Sequence, residues 1–246
     1  PDVKRMLATM KSTIEAMRRL IMWNAACLDI AAHHPDADER EKAADMAALL
    51  TPLSKGWGTD MGVELTGTAV QIHGGMGFIE ETGVAQHYRD ARITTIYEGT
   101  NGIQAMDLVG RKLGMKGGQV VLGLLSDIDA MSAKLAKYPE LSGVQRELSA
   151  ANEVAKRVSM WLATNSKDPI AVLSGATPYL RLLSMTVGGY VLAKGAVIAL
   201  EADGLDAQFV SSKVASTRFF CEQLLPQVAG LEAAVTGDSA LLMLSL

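Results

Sequence analysis

Val3, Leu7, Met10, Ile14, Met17 and Ile21 recur at alternating steps of four and three. That spacing lays one apolar stripe along a helix. It predicts a helix reaching about Ala32, with its stripe packed coiled-coil fashion into a bundle. The run His33-His34-Pro35-Asp36 ends it, because proline cannot continue a helix and restrains the residue before it. A second helix is expected from about residues 36–38, where acidic side chains suit the positive end of a helix dipole. It carries Met46, Leu49, Leu50 and Leu53 and continues through Val63 to Val70. Within it Pro52 costs about 3 kcal/mol and Gly56 and Gly58 about 1 kcal/mol each, so a kink or break is expected there.

The pattern then changes. Gln71-Ile72-His73-Gly74-Gly75-Met76-Gly77-Phe78 holds glycine at three of four consecutive positions, 74, 75 and 77. Such density ends a helix and lets the backbone approach another group closely. Gly83 adds a turn, residues 93–97 (ITTIY) read as locally extended, and Glu98-Gly99-Thr100-Asn101 reads as a turn with an N-cap candidate. Ile103, Met106, Leu108, Val109 and Leu113 suit a helix ending near Gly114, Gly117 and Gly118. Those glycines mark the expected division into residues 1–117 and 118–246. Four helical stretches follow: Val120 to about Lys137, Leu141 to Leu162, Tyr179 to Glu201, which is the most apolar and therefore central, and Phe209 to about Leu225, stopped by Pro226. The expected fold is all-α, one helical bundle followed by another.

Composition narrows the function classes. Hydrophobic residues make up 49% and charged residues 20% of the 246, a balance that supports a buried core and argues against disorder. The net charge is −4 with lysines and arginines scattered, which argues against a nucleic-acid groove or a polybasic membrane patch. The charge-free stretches 169–180 and 182–193 each fall short of the ~20 apolar residues of a membrane span. Cys27 and Cys221 lie far apart, outside any metal-binding spacing, and read as free thiols of a reducing, cytoplasmic compartment. The chain opens on Pro1 and enters a helical pattern at once, so it is expected to belong to a longer protein.

Read alone, Glu98 is a dipole-compensating acid beside an N-cap, and the glycines are a loop. Order and spacing alter that reading. Gln71-Ile-His-Gly-Gly-Met-Gly-Phe, Arg89-Asp-Ala-Arg-Ile and Ile96-Tyr-Glu-Gly-Thr-Asn-Gly-Ile-Gln104 together resemble the C-terminal signature of the acyl-CoA dehydrogenases, from about Gln71 to Lys112. From about Gly118 the chain is similar to an extra helical domain of a larger subgroup, which includes dehydrogenases acting on 3-methylthiopropanoyl-CoA.

The resemblance implies oxidation of an acyl-CoA to a trans-2-enoyl-CoA. Glu98 would take the α-proton and FAD the β-hydride. A proton beside a thioester is weakly acidic, so the chemistry needs a carboxylate base and donors that stabilise the nascent enolate. By the same resemblance Gln71, Gly74 and Gly75 meet the ADP part of FAD on a neighbouring subunit. Thr100, Asn101 and Gly102 contact the flavin of their own subunit, Tyr97 lines the acyl pocket, and Gly99 lets the backbone pass the thioester. Bare glycine amides and helix N-termini suit phosphate groups. Arg89 and Asp90 are expected to pair, His73 to pack, and Arg111 to be a surface charge. A homodimer or homotetramer, with an electron-transfer flavoprotein as acceptor, is implied. The family's N-terminal helical and middle β-domains have no counterpart here, so this chain alone is expected to bind FAD weakly and to be inactive. Two other readings stay open: a helical binding or oligomerisation module, and an acyl-CoA oxidase-like flavoprotein.

Overall fold

A computed structural model describes residues 1–244, and every regular element among them is helical. In chain order the helices are α1 (Asp2–His33), α2 (Ala37–Pro52), α3 (Gly58–Ile72), the single turn α4 (Gly75–Phe78), α5 (Val84–Ile93) and α6 (Asn101–Asp107). They continue with α7 (Gln119–Leu135), α8 (Ser142–Thr164), α9 (Pro169–Ser174), α10 (Ala176–Glu201), α11 (Ala207–Phe219) and α12 (Val228–Thr236).

Helix starts follow side-chain chemistry. Asp36 caps α2 by accepting from the amides of Asp38 (2.8 Å) and Glu39 (3.2 Å). Asp168 caps α9, and Asp206 caps α11. A carboxylate at this position satisfies helix amides that would otherwise lack partners.

The most apolar helix, α10, is buried on nearly all sides and packs against α1, α6, α7, α8, α11 and α12. Its length and mean hydropathy of 1.5 would suffice for a membrane crossing, yet 83% of that window is buried within this fold. Arg181, which separates the two charge-free stretches, reaches the surface and pairs with Glu64 at 2.6 Å. Gly188 lets helices close on α10: a Cβ there would lie 3.1 Å from the Trp57 ring and 3.2 Å from Phe220. Those two rings meet edge to face at 6.4 Å and 82°. One apolar core, including Leu20, Leu53, Trp57, Leu148, Val191 and Val235, runs through both halves of the chain. Between them Lys116, Gly117 and Gly118 take left-handed φ values of 51°, 67° and 86°.

Several expectations need correction. Four of the six residues of the α1 stripe face outward, with Val3 51%, Leu7 50%, Ile14 40% and Ile21 47% exposed, while Met10 and Met17 are half-buried and Met17 packs against the core. The face that packs inward carries Ser12, Thr13, Ala16, Leu20, Asn24 and Cys27. Small and polar residues allow close helix approach there, and the larger apolar side chains are left for other contacts. At Pro52 the helix is not broken; the irregularity takes the form of a π turn at Leu53–Trp57 that leads into α3. Gly56 is there for packing, since a Cβ would lie 2.8 Å from Leu180 Cδ1. Residues 93–97 are not extended: Thr94 and Thr95 hydroxyls bond back to Ala91 O (2.6 Å) and Arg92 O (3.1 Å), continuing a tight turn out of α5. The second half also contains α9 and α12, which were not anticipated. Pro226 lies in a short 3-10 segment, Leu225–Gln227, that leads straight into α12. Proline fits there because the first turn of a helix needs no amide donor.

Candidate active site

Tyr97, Glu98, Gly99 and Thr100 form the turn that leads into α6, and Asn101 and Gly102 open that helix. Glu98 adopts a left-handed φ of 53° and Gly99 one of 83°. The first is uncommon for a residue with a side chain, and the second explains the glycine: a Cβ at Gly99 would meet nothing closer than 3.4 Å, so backbone conformation rather than crowding requires it. Glu98 is exposed, and its carboxylate has no hydrogen-bond or ion-pair partner among the described residues. Tyr97 is half-exposed beside it.

The turn is held from beneath by the π turn and the start of α3. Asn101 Nδ2 donates to Asp60 Oδ1 (2.7 Å), Thr59 Oγ1 (2.9 Å) and Gly56 O (3.0 Å). Lys55 Nζ donates to Asn101 Oδ1 and to Gly99 O, both at 2.8 Å. Asn101 N closes the turn on Thr95 O at 3.1 Å. Both ends of the Asn101 carboxamide are therefore engaged inside the chain, which makes it an anchor of the turn. Thr100, by contrast, makes no side-chain cap to α6. It lines an open cleft of about 480 Å³ with Asn101, Gly102, Arg92, Asp60 and Ile96. The uncapped helix start, Thr100 and Arg92 supply donors to this cleft, while Asp60 and Glu64 supply carboxylates, so its wall is mixed and suits a polar group. Arg92 also bonds the Thr95 hydroxyl, which ties the wall to the turn.

Gln71, Gly74 and Gly75 are not part of this cluster. They lie at the far end of α3, and eleven residues of helix from Asp60 to Gln71 correspond to roughly 17 Å. Three of the nearby glycines are there for different reasons. Gly74 takes φ 60° and ψ −146°, a conformation open only to glycine. A Cβ at Gly77 would lie 2.3 Å from Val70 O, whereas one at Gly75 would meet nothing within 4 Å. Gly75 is thus bare toward solvent with no structural demand for it. His73 Nδ1 lies 2.8 Å from Ala69 O, but the side chain is exposed and not packed as expected. Arg89 pairs with Glu80 (2.5 and 3.0 Å) rather than with its chain neighbour Asp90, because adjacent helical residues point in different directions. Arg111 is exposed and pairs with Asp107.

Lys55, Thr59 and Asp60 went unread in the sequence. Their partners stand up to 46 positions away, and neither periodicity nor a local motif records such a contact.

Residues 1–113 match the family model described as acyl-CoA dehydrogenase, C-terminal domain, and residues 124–245 match the one described as acetyl-CoA dehydrogenase C-terminal like. The chain belongs to the acyl-CoA dehydrogenase family. It is 41% identical, over 98% of its length, to 3-methylmercaptopropionyl-CoA dehydrogenase of Ruegeria pomeroyi and covers 42% of that protein. It is 33% identical to a butyryl-CoA dehydrogenase of Syntrophomonas wolfei, over 95% of this chain and 39% of the relative. The chain therefore spans about two fifths of the length of the curated relatives it matches. Its fold is similar to that of a Bacillus anthracis acyl-CoA dehydrogenase complexed with FAD, with a TM-score of 0.73 at 20% identity over 97% of this chain and 42% of that one. The all-helical fold of this acyl-CoA dehydrogenase segment thus agrees with its sequence pattern.

Proposed function

We propose that this chain is the base-bearing part of an FAD-dependent acyl-CoA dehydrogenase, in which Glu98 removes the α-proton of a bound acyl-CoA. The observation that carries this reading is a carboxylate left free on a left-handed turn, while the backbone around it is fixed by Lys55 and Asn101. A general base needs an unencumbered acceptor and a rigid mount, and the turn supplies both. FAD, when bound, accepts the hydride lost from the β-carbon. Glu98 takes the α-proton, the Cα–Cβ bond becomes double, and the product is the trans-2-enoyl-CoA.

Tyr97 stands at the acyl side of the turn, and the open backbone at Gly99 leaves room for a thioester. The residues fit the cofactor at two places. The wall formed by Thr100, Gly102 and Arg92 suits polar atoms of a flavin, with Asn101 holding that wall in register. The bare Gly75 amide, with Gln71 and Gly74, suits a phosphate-bearing portion. By the family resemblance these patches, roughly 17 Å apart along α3, serve two cofactors, in a homodimer or homotetramer whose Gln71 loop meets the partner's FAD. A cytoplasmic setting and an electron-transfer flavoprotein as electron acceptor complete the reading.

The test uses the full-length protein that carries this chain. Glu98→Gln should retain FAD and bind acyl-CoA but lose most turnover, measured by dye reduction with butyryl-CoA and 3-methylmercaptopropionyl-CoA. Near-normal turnover would move the base elsewhere. Stoichiometric hydrogen peroxide release in air would instead favour the oxidase alternative. The chain by itself should purify colourless; a yellow, acyl-CoA-reducible preparation would contradict its need for further domains.

A further inference from the structure

We infer that Lys55 is the positioning residue of the Glu98 turn, fixing the carboxylate by holding the Gly99 carbonyl and the Asn101 carboxamide together. This rests on Glu98 being the proton acceptor. Glu98 and Gly99 are consecutive left-handed residues, at φ 53° and 83°. A side-chain-bearing residue persists in that region only where its surroundings over-determine it. On the carbonyl side of Gly99 the recorded restraint is Lys55, 2.8 Å away. The same ammonium lies 2.8 Å from Asn101 Oδ1, so one group bridges the residues that follow Glu98.

Two further observations point to a dedicated role. Lys55 is half-buried and forms no ion pair among the described residues. Its charge is directed at two amide oxygens, an arrangement that stabilises one backbone geometry. Lys55 also sits inside the π turn at Leu53–Trp57. A π turn rotates the residues around it relative to a regular helix, and such turns occur frequently at functional sites. Here the π segment and the turn after it bring Lys55, the Gly56 carbonyl and Thr59 to the same partner, Asn101. Tertiary packing reinforces the register: Gly56 is pressed against Leu180 and Trp57 is fully buried. The bulge is thus locked by the core on one side and grips the Glu98 turn on the other.

The experiment compares Lys55→Met, Lys55→Arg and Glu98→Gln in the full-length holoenzyme, and adds amide hydrogen exchange on this chain alone. Displacement of a reacting group by about 1 Å can cost roughly 100-fold in rate, so kcat for Lys55→Met should fall by 10- to 100-fold. KM and FAD content should stay near wild type, so that the loss falls on kcat alone. Lys55→Arg should recover much of the rate. In the chain alone, Lys55→Met should speed exchange at residues 97–101 while α10 keeps its protection. If Lys55→Met turns over normally while Glu98→Gln is inactive, the positioning role is overturned and the base assignment stands. If neither variant loses turnover, the base assignment fails; unchanged exchange at residues 97–101 would then overturn the clamp as well.

Discussion

Gly75 and Gly77 stand two residues apart, and alanine at each should have opposite consequences. At Gly77 the added Cβ would lie 2.3 Å from Val70 O, 2.9 Å from His73 Cβ and 3.0 Å from Val70 C. Two of these atoms are backbone of α3, so no rotamer change relieves the clash and the loop must move by about 1 Å to reach ordinary contact. Overpacking of this kind costs about 1–3 kcal/mol, and for a chain of this size each kcal/mol lowers Tm by roughly 2–4 °C. Gly77→Ala should therefore lower Tm by several degrees. At Gly75 the same methyl meets nothing within 4 Å, and Gly75 begins α4 without a left-handed φ. Replacing such a glycine stabilises by about 0.4–1 kcal/mol through the unfolded state.

The functional readout should run the other way. If the bare Gly75 amide meets a cofactor phosphate, a methyl there keeps the two apart, and FAD affinity of the full-length protein should fall by about tenfold or more. The assays are thermal melts of the chain and flavin-fluorescence titration of the apoprotein. A destabilised Gly75→Ala chain would mean that this glycine serves the fold. A stable Gly75→Ala protein that binds FAD normally would refute the reasoning that separates glycines kept for structure from glycines kept for a ligand.

Asn152 is fully buried and donates to Leu125 O (2.8 Å) and Asp129 Oδ1 (2.7 Å), so Asn152→Ala should cost about 1–3 kcal/mol, seen as a lower Tm in a melt that stays cooperative. Stability should fall as pH drops below the ordinary carboxylate range, near 4.5 for Glu and 3.8 for Asp. Backbone amides hold Asp36 down, the Lys116 hydrogen bond Glu41, the Tyr138 hydroxyl Glu201 and the Arg157 guanidinium Glu232, and a depressed folded value means that stability is lost on acidification. Melts from neutral pH down to about pH 3 check the sign. Burial pushes the Cys221 thiol well up from its ordinary value, so it should resist a disulfide reagent until the chain unfolds; rapid labelling in the native chain would contradict its packing against Gly189.

Much of the fold was legible because the apolar spacing of α1, α7, α8 and α10 is a local property, and caps such as Asp36 announce themselves. What escaped the sequence depended on distance or on exceptions to local rules. α9 carries an Asp-Pro start that was readable, but α12 lies behind Pro226, and reading that proline as a stop ignored how well proline suits a first turn. The π turn after Pro52 escaped because wide and regular turns share one apolar periodicity. In the candidate site, the signature residues of the Glu98 turn were recognisable as a motif, whereas their supports were not. Lys55, Thr59 and Asp60 meet Asn101 across more than forty positions, through the packing of α6 and α10 against the π turn.

The misread stripe on α1 carries the argument one step further. Leu7, Ile14, Ile21 and Leu28 recur at steps of seven, and all four are 40–57% exposed. An accidental surface would not hold that register, since exposed leucine and isoleucine gain nothing from regular spacing. The heptad spacing is that of a helix-packing face, and this face is left exposed among the described residues. In a chain spanning two fifths of its relatives' length, such a face fits a surface whose complement lies outside the described residues. The same logic applies to the Glu98 carboxylate, the proposed base: it is exposed without a partner among the described residues, while its turn is held by Lys55 and Asn101. Helix register and turn geometry are both set within this chain, ahead of whatever closes over them.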